Sequence, residues 1–463
     1  MKKSDVVVIG GGPAGRVIGH VLHAQKSGLS VTLIKDEEIN VNRCAVPYGV
    51  SGEKPIEKFQ IPNTLITSFG AKLVIDRVEK IDPDQKQVHT RKGEIYSYKY
   101  LVMTTGARPL IPPIPGVDLD GIMAVRSLQD LELLRQCAAE GQKAVIVGGG
   151  YIGVEVAIVL RQMGLEVTLV EMLPRILLAT TEPEFIDEVE KTLTDRGIKL
   201  LTGSSVVEFE KKDGSPLTVK LNDGQSLATD FTILSIGVVP NTELAAAAGI
   251  KTTRLGICTD PFLKTSADGV YAAGDCVEKT SFITHEPTRG EFGTNAVFMA
   301  KVVGQNILGR NKTFPGVINA NATTVFDWGL CSAGMTEKMA QNVGIETVTG
   351  FSKVMDKYPM MNGVALISTK LVFDRLTGKL IGGSVMRRGC GAAQSADFLS
   401  FAIQMGTTWD DLLTYQYATH PELAAKPSDN SYVFAAQDAL GKLKDENTST
   451  EKEAGHATHV SSL

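Results

Sequence analysis

Cysteine is scarce in this 463-residue chain: Cys44, Cys137, Cys258, Cys276, Cys331 and Cys390 are all there is. Six thiols spread over that length make no disulfide framework. No two of them have the close spacing of a zinc or iron–sulfur site, so no metal is expected. A basic block is also missing. The formal charge is −5, which argues against nucleic acid as the main partner, because phosphate binding needs a positive surface. No apolar run is long enough to cross a bilayer, so no membrane insertion is expected. Two lysines and a short apolar run at the start resemble a signal peptide, but a glycine turn follows at once, and a first β-strand is the better reading. These absences together predict a cytoplasmic protein.

What is present is a globular composition, 43% hydrophobic and 21% charged, with enough chain for two or three cores. The main organisational signal is a near-repeat. Asp5–Gly15 reads DVVVIGGGPAG and Lys143–Gly153 reads KAVIVGGGYIG. Each is a β-rich run, then glycines, then a helix-like segment, then a second strand, Val31–Ile34 or Val167–Val170. The chain therefore holds two βαβ units of the dinucleotide-binding type.

In the first unit Gly10, Gly12 and Gly15 permit, in turn, a tight turn, close approach of a pyrophosphate, and helix–strand packing. Pro13 and Ala14 open the helix, whose N-terminus favours phosphate. Gly148, Gly150 and Gly153 repeat the set. The ribose carboxylate normally ends the second strand. The second unit has Glu171 there, which favours NADH over NADPH, although Arg175 lies four residues on. The first unit has Lys35 instead; either Asp36 takes over or the ribose is held otherwise.

Two further strands end in glycine turns. Leu101–Pro109 reads LVMTTGARP and contributes Thr105 and Gly106; Gly269–Asp275 reads GVYAAGD and contributes Gly274 and Asp275. Gly237 precedes Val239-Pro240-Asn241-Thr242-Glu243-Leu244. With these segments the chain resembles the glutathione-reductase-like pyridine nucleotide-disulfide oxidoreductases from about residue 5 to 440. The resemblance implies FAD in the first unit and NADH in the inserted one. It places Asp275 at the FAD ribitol and pyrophosphate, and Glu155 near nicotinamide and flavin. The expected fold is α/β: two Rossmann-like three-layer nucleotide-binding domains plus a C-terminal α+β dimerisation domain. The expected boundaries are 1–115 for the first part of the FAD domain, 116–245 for the NAD(H) domain, 246–320 for the rest of the FAD domain, and 321–441 for the dimerisation domain. A polar, disordered tail is expected at 442–463.

The superfamily's usual active site is two cysteines five residues apart. Here Cys44 has Gly49 at that distance. Asn42-Arg43-Cys44-Ala45-Val46-Pro47-Tyr48 resembles the single-cysteine branch of coenzyme A disulfide reductases, NADH oxidases and persulfide reductases, which often carry Cys-x-x-Pro-Tyr. One thiolate beside a flavin can cycle through a mixed disulfide, a persulfide or a sulfenic acid. Positive surroundings, with Arg43 adjacent, would favour the thiolate; the bland alternative is a buried, inert thiol. The first glycine loop lacks the histidine of the oxidases and peroxidases. Tyr358 and Tyr417 fall at partial matches to tyrosine motifs of the coenzyme A disulfide reductases. His420-Pro421 resembles the acid/base His-Pro of the two-cysteine branch, with Glu422 near and Ala425 where its glutamate would be; catalytic and structural roles stay equally open. The resemblance implies a homodimer and an NADH-dependent reductase of a disulfide, persulfide or polysulfide, with a coenzyme A species as one candidate. An NADH oxidase, or an electron-transfer subunit with a redox protein partner, is the alternative.

Overall fold

The computed structural model describes residues 1–212 and 214–460. It contains two compact units, one of Met1–Ile176 with Arg196–Val317, the other of Leu177–Asp195 with the chain from Ile318 onward.

The first unit is built on the near-repeat. Strand β1, Lys2–Ile9, ends in a fully apolar buried run, as a strand covered on both faces should. It pairs in parallel with β2, Val31–Lys35, on one side and with Ile95–Met103 on the other. Val270–Ala272 adds a parallel partner to Ile95–Met103, so the chain returns to the first sheet just before the Gly274-Asp275 turn. Helix α1, Pro13–Ala24, starts with proline at its first position, where the missing amide costs nothing, and buries Ile18 and Leu22 against the sheet. A second sheet is wholly parallel, in the order Ile122–Ala124, Phe231–Leu234, Lys143–Val147, Glu166–Glu171, Ile198–Thr202. Its helix α2, Leu128–Glu140, begins with a reciprocal capping box between Ser127 and Asp130. Helix α3, Tyr151–Gln162, follows the second glycine loop. Ala107–Pro109 and Val238–Pro240, where the chain crosses between the two sheets, pair with each other as antiparallel strands.

The second unit is an antiparallel sheet in the order Asn321–Val325, Trp328–Gly334, Leu380–Arg388, Leu366–Asp374, Thr347–Met355. Helix α4, Pro183–Asp195, belongs to this unit, although its flanking strands lie in the nicotinamide-type sheet and the sequence boundaries put it there. Its apolar face, Phe185, Ile186, Val189 and Leu193, is buried, with Phe185 against Phe351, and a buried ion cluster lies at its start. Lys370, 4% exposed, donates to Glu182 at 3.2 Å, Glu184 at 2.8 Å and Glu337 at 3.1 Å. Burial pulls this ammonium down, but the carboxylates outweigh it and hold its pKa above the ordinary lysine value. Helices α5, Ala392–Gln404, and α6, Ser431–Val460, also belong to the unit. Helix α6 runs through most of the segment read from sequence as a disordered tail; its buried residues Ala435, Ala436 and Ala439 seat its first half, and residues 461–463 lie outside the described residues. No helix among the described residues is long and apolar enough to cross a membrane, and none of their His, Cys, Asp and Glu groups could hold a metal.

Candidate functional site

The two glycine loops have the same geometry. Gly10 and Gly148 adopt φ of +111° and +109°, in the region that favours glycine. A Cβ on Gly15 would lie 2.1 Å from the Gly10 carbonyl oxygen, and one on Gly153 would lie 1.9 Å from that of Gly148. Beside Gly12 and Gly150 nothing lies within 4 Å of such a Cβ, which leaves the middle glycines open to a ligand. Each loop is also held by a hydroxyl that sequence reading missed. Thr104 Oγ1 donates to Ile9 O and Gly10 O, and Ser235 Oγ donates to Val147 O and Gly148 O. Both lie at the end of the strand beside β1 or its counterpart, so the repeat itself could have revealed them.

In the second loop Glu171 accepts from the Gly149 amide at 2.6 Å and from the Leu173 amide at 2.7 Å. The carboxylate is thereby fixed beside the glycines, where a ribose would lie. In the first loop Lys35 is only 4% exposed and its aliphatic chain crosses Gly11. Its ammonium donates to Asn40 Oδ1, to Asn63 Oδ1 at 2.7 Å and to Glu38 O at 3.3 Å. All three protons are thus taken by neutral oxygens. Asp36 is exposed. Glu37 turns inward instead, accepting from Asn40 Nδ2 at 3.1 Å and from Arg43 Nη2 at 2.9 Å.

Gly274 packs against Ala14: a Cβ on Gly274 would lie 3.4 Å from the Ala14 methyl, so Asp275 arrives at the start of α1. Arg126 pairs with Asp275 at 3.3 Å. Thr105 is committed elsewhere: its hydroxyl donates to Asn241 O, and Asn241 Nδ2 donates back to Thr105 O. Gly106 sits beside the guanidinium groups of Arg43 and Arg126. Gly237, with φ of +106°, accepts from the Leu110 amide in the same crossover. The Nε atoms of Arg16 and Arg126 are buried with no hydrogen-bond partner, and burial lowers both guanidinium pKa values. Two desolvated cations beside an open glycine loop fit the pyrophosphate of a dinucleotide such as FAD.

Cys44 lies on the 3-10 turn Arg43–Ala45, ahead of the one-turn helix Val46–Gly49. It is exposed as a residue, yet its pKa is raised above the ordinary thiol value, with desolvation the largest cause. Glu155 and then Asp275 push it the same way, and Arg126 opposes them. The expected helper, Arg43, is turned to Glu37; Arg126 is the cation that acts on the thiol. The position of the absent second cysteine is closed. A Cβ on Gly49 would lie 3.0 and 3.1 Å from the two methyls of Leu131 and 3.1 Å from Phe59. Of the remaining cysteines, Cys276 and Cys331 are buried, Cys137 and Cys258 are half-buried and Cys390 is exposed.

In the second unit the Tyr358 amide donates to Pro421 O at 3.0 Å, and Lys357 pairs with Glu422 at 3.5 Å, so the Tyr358 and His420 loops meet. His420 Nδ1 accepts from the Glu422 amide at 3.2 Å. That contact assigns the proton of the neutral ring to Nε2. The Glu422 carboxylate goes to Lys357, not to the imidazole. Tyr417 donates to Pro427 O at 2.6 Å and packs against Tyr415.

Comparison with known proteins agrees with this arrangement. The pyridine nucleotide-disulphide oxidoreductase family matches residues 4–300, and the dimerisation domain of that family matches residues 320–430. An NADH oxidase of Methanocaldococcus jannaschii is 31% identical over 94% of this chain and 99% of its own. A CoA-dependent NAD(P)H sulfur oxidoreductase of Pyrococcus furiosus is 31% identical over 92% of this chain and 97% of its own. The solved NAD-dependent persulfide reductase from A. fulgidus superposes with a TM-score of 0.89 at 29% identity, over 95% of this chain and 84% of its own. With two glycine loops of one geometry and matches over both units, the chain belongs to the pyridine nucleotide-disulphide oxidoreductase family and is an FAD-dependent NAD(P)H oxidoreductase.

Proposed function

We propose that this protein passes electrons from NADH by way of FAD and Cys44 to the sulfur–sulfur bond of a disulfide, persulfide or polysulfide. The observation that carries the reading is the closed position at Gly49: a single thiol stands on the redox turn, with Leu131 and Phe59 where a partner would be. A lone thiol cannot close a disulfide within its own turn, and sulfur from the substrate can supply the second partner. Relatives described as sulfur and persulfide reductases support that choice of acceptor.

Bound FAD supplies the two-electron relay between nicotinamide and sulfur. Gly10, Gly12, Gly15, Arg16, Arg126 and Asp275 would hold it, and Gly148, Gly150, Gly153 and Glu171 would hold NADH. The Cys44 thiolate attacks the substrate's S–S bond; a Cys44–S–S–R bond forms as the other sulfur leaves as a thiolate. The electron pair from NADH then cleaves the mixed disulfide, regenerating the Cys44 thiolate and releasing RS⁻. The balance is NADH + H⁺ + RSSR′ → NAD⁺ + RSH + R′SH, or RSH and H₂S from a persulfide. His420, in its imidazolium form, is the proposed proton donor to a leaving thiolate, and Tyr358 and Tyr417 the proposed substrate-positioning groups. The dimerisation domain supports a homodimer in which these residues come from the partner subunit. Six unpaired cysteines are consistent with a reducing cytoplasm.

Anaerobic titration with dithionite and then NADH tests the reading. Uptake of roughly four electrons per FAD, with a long-wavelength thiolate–flavin band that Cys44→Ser abolishes, is expected. Uptake of two electrons with no band removes Cys44 from the reaction. The M. jannaschii relative favours NADH oxidase as the second reading. Oxygen consumption that survives Cys44→Ser would move the assignment there; turnover that requires an added redox protein would move it to an electron-transfer subunit.

A further inference from the structure

The segment carrying Cys44 is held on both sides by arginines. On the N-terminal side Arg43 reaches Glu37, Glu37 reaches Asn40, and Asn40 reaches the buried Lys35. On the C-terminal side the anchor comes from a different element, helix α2. Arg135 Nε donates to Gly49 O at 2.7 Å and Arg135 Nη2 donates to Lys54 O at 2.8 Å. The same guanidinium lies over the Phe59 ring, 5.5 Å from its centroid. One turn earlier on α2, Leu131 fills the space beside Gly49. Two contacts one helical turn apart therefore clamp the backbone five residues beyond the thiol.

We infer that Arg135 is a positioning residue for the redox turn: through Gly49 and Lys54 it fixes the distance of Cys44 from the flavin. The inference rests on the proposed redox role of Cys44. A two-cysteine turn is pinned by its own disulfide whenever it is oxidised. A single-cysteine turn has no such tie, and its thiol must carry a substrate adduct and return to the same place. The Gly49 and Lys54 carbonyls give the turn an external tie that does not depend on its redox state. The fork geometry of a guanidinium suits two carbonyls at once, which a lysine cannot reproduce.

The test compares half-reactions in the full-length FAD-bound protein. In Arg135→Met the rate of flavin reduction by NADH should stay within about twofold, because hydride transfer does not use Cys44. Reduction of an aromatic disulfide or an alkyl persulfide should fall at least roughly tenfold in kcat with little change in KM, and the thiolate–flavin band should weaken in parallel. Arg135→Lys should lie between the two. Gly49→Ala is the second variant, since its methyl would press on Leu131 and Phe59 and shift the same backbone; it should show the same split if Arg135→Met loses FAD. A full band and disulfide turnover within twofold in Arg135→Met would overturn the inference. So would an equal fall in both half-reactions with normal FAD content. Cys44→Ser keeps the two failures apart: if it retains sulfur reduction, the functional reading itself is wrong.

Discussion

Replacing Glu171 by glutamine should change which nicotinamide nucleotide reduces the flavin. The carboxylate is held by two backbone amides, at 2.6 and 2.7 Å, so it cannot swing away when a nucleotide enters. Toward NADH it offers a charged acceptor for a ribose hydroxyl, worth about 1.5–3 kcal/mol. Toward NADPH it presents a negative charge to the 2′-phosphate. Two unit charges 4 Å apart at the effective dielectric of a protein surface repel by about 4 kcal/mol. Salt and the half-exposed position reduce that to roughly half. Glu171→Gln should therefore cost NADH roughly tenfold or more and gain NADPH roughly thirtyfold, a swing of at least about a hundredfold in the ratio. Stopped-flow reduction of the FAD-bound protein by each nucleotide, without any acceptor, reads this ratio directly. Asp36→Asn, at the exposed position of the other loop, should leave it alone. A swing below tenfold would mean that Glu171 caps its own loop and does not read the ribose.

Removing Lys370 should unfold the second unit early. With Lys370→Met the Glu182 carboxylate, 2% exposed, keeps no cation, and the loss should be about 3–5 kcal/mol in thermal or urea unfolding. Adding Glu182→Gln should recover most of it; no recovery would argue that Lys370 matters through packing alone. The Lys370 pKa is raised on folding, so the lysine's own contribution is complete below the unfolded lysine pKa of about 10.4 and fades only above that, whereas burial raises the Glu182 carboxyl, so its charging lowers stability as pH climbs above the unfolded carboxyl range. The cofactor-free Cys44 thiol is held above the ordinary thiol value by burial, Glu155 and Asp275, so its alkylation rate should rise with pH through a midpoint on the alkaline side of a free thiol. Glu155→Gln should lower that midpoint and Arg126→Gln should raise it. If Arg43→Gln raises it as much as Arg126→Gln, the assignment of the assisting cation is wrong.

Much of the first unit was legible because its rules are local. A strand buried on both faces has to be apolar throughout, a glycine at positive φ has to follow it, and both requirements sit within a dozen residues at Val6–Gly15 and again at Ala144–Gly153. The clamp hydroxyls Thr104 and Ser235 were just as readable in principle, since each closes the neighbouring strand of its repeat. What sequence order does not show is charge. Arg43 is next to Cys44 in the chain, yet its guanidinium is spent on Glu37, while Arg126, eighty-two positions away, reaches Asp275 and acts on the thiol. Adjacent residues on a turn point in different directions, so adjacency along the chain says little about which charge a side chain feels. The setting of helix α4 is hidden for a related reason: its amphipathic pattern demands a covered face but does not say by which sheet, and its partners Phe351 and Lys370 come more than 160 residues later.

Lys35 and Gly49 are two of the departures from the superfamily pattern, and the structure relates them. At the end of β2 the Lys35 ammonium serves Asn40 Oδ1, Asn63 Oδ1 and Glu38 O together, and the Glu38 carbonyl is an acceptor that a carboxylate there could not serve. That triad fixes Asn40, which fixes Glu37, which takes Arg43 and so sets the N-terminal side of the redox turn. Gly49 is the matching feature on the other side, because a side chain there would press on Leu131 and Phe59, the residues beside the Arg135 tie. A position that looks like a lost ribose ligand and one that looks like a lost cysteine thus serve the same end: both hold in place the backbone on which the one remaining thiol has to stand.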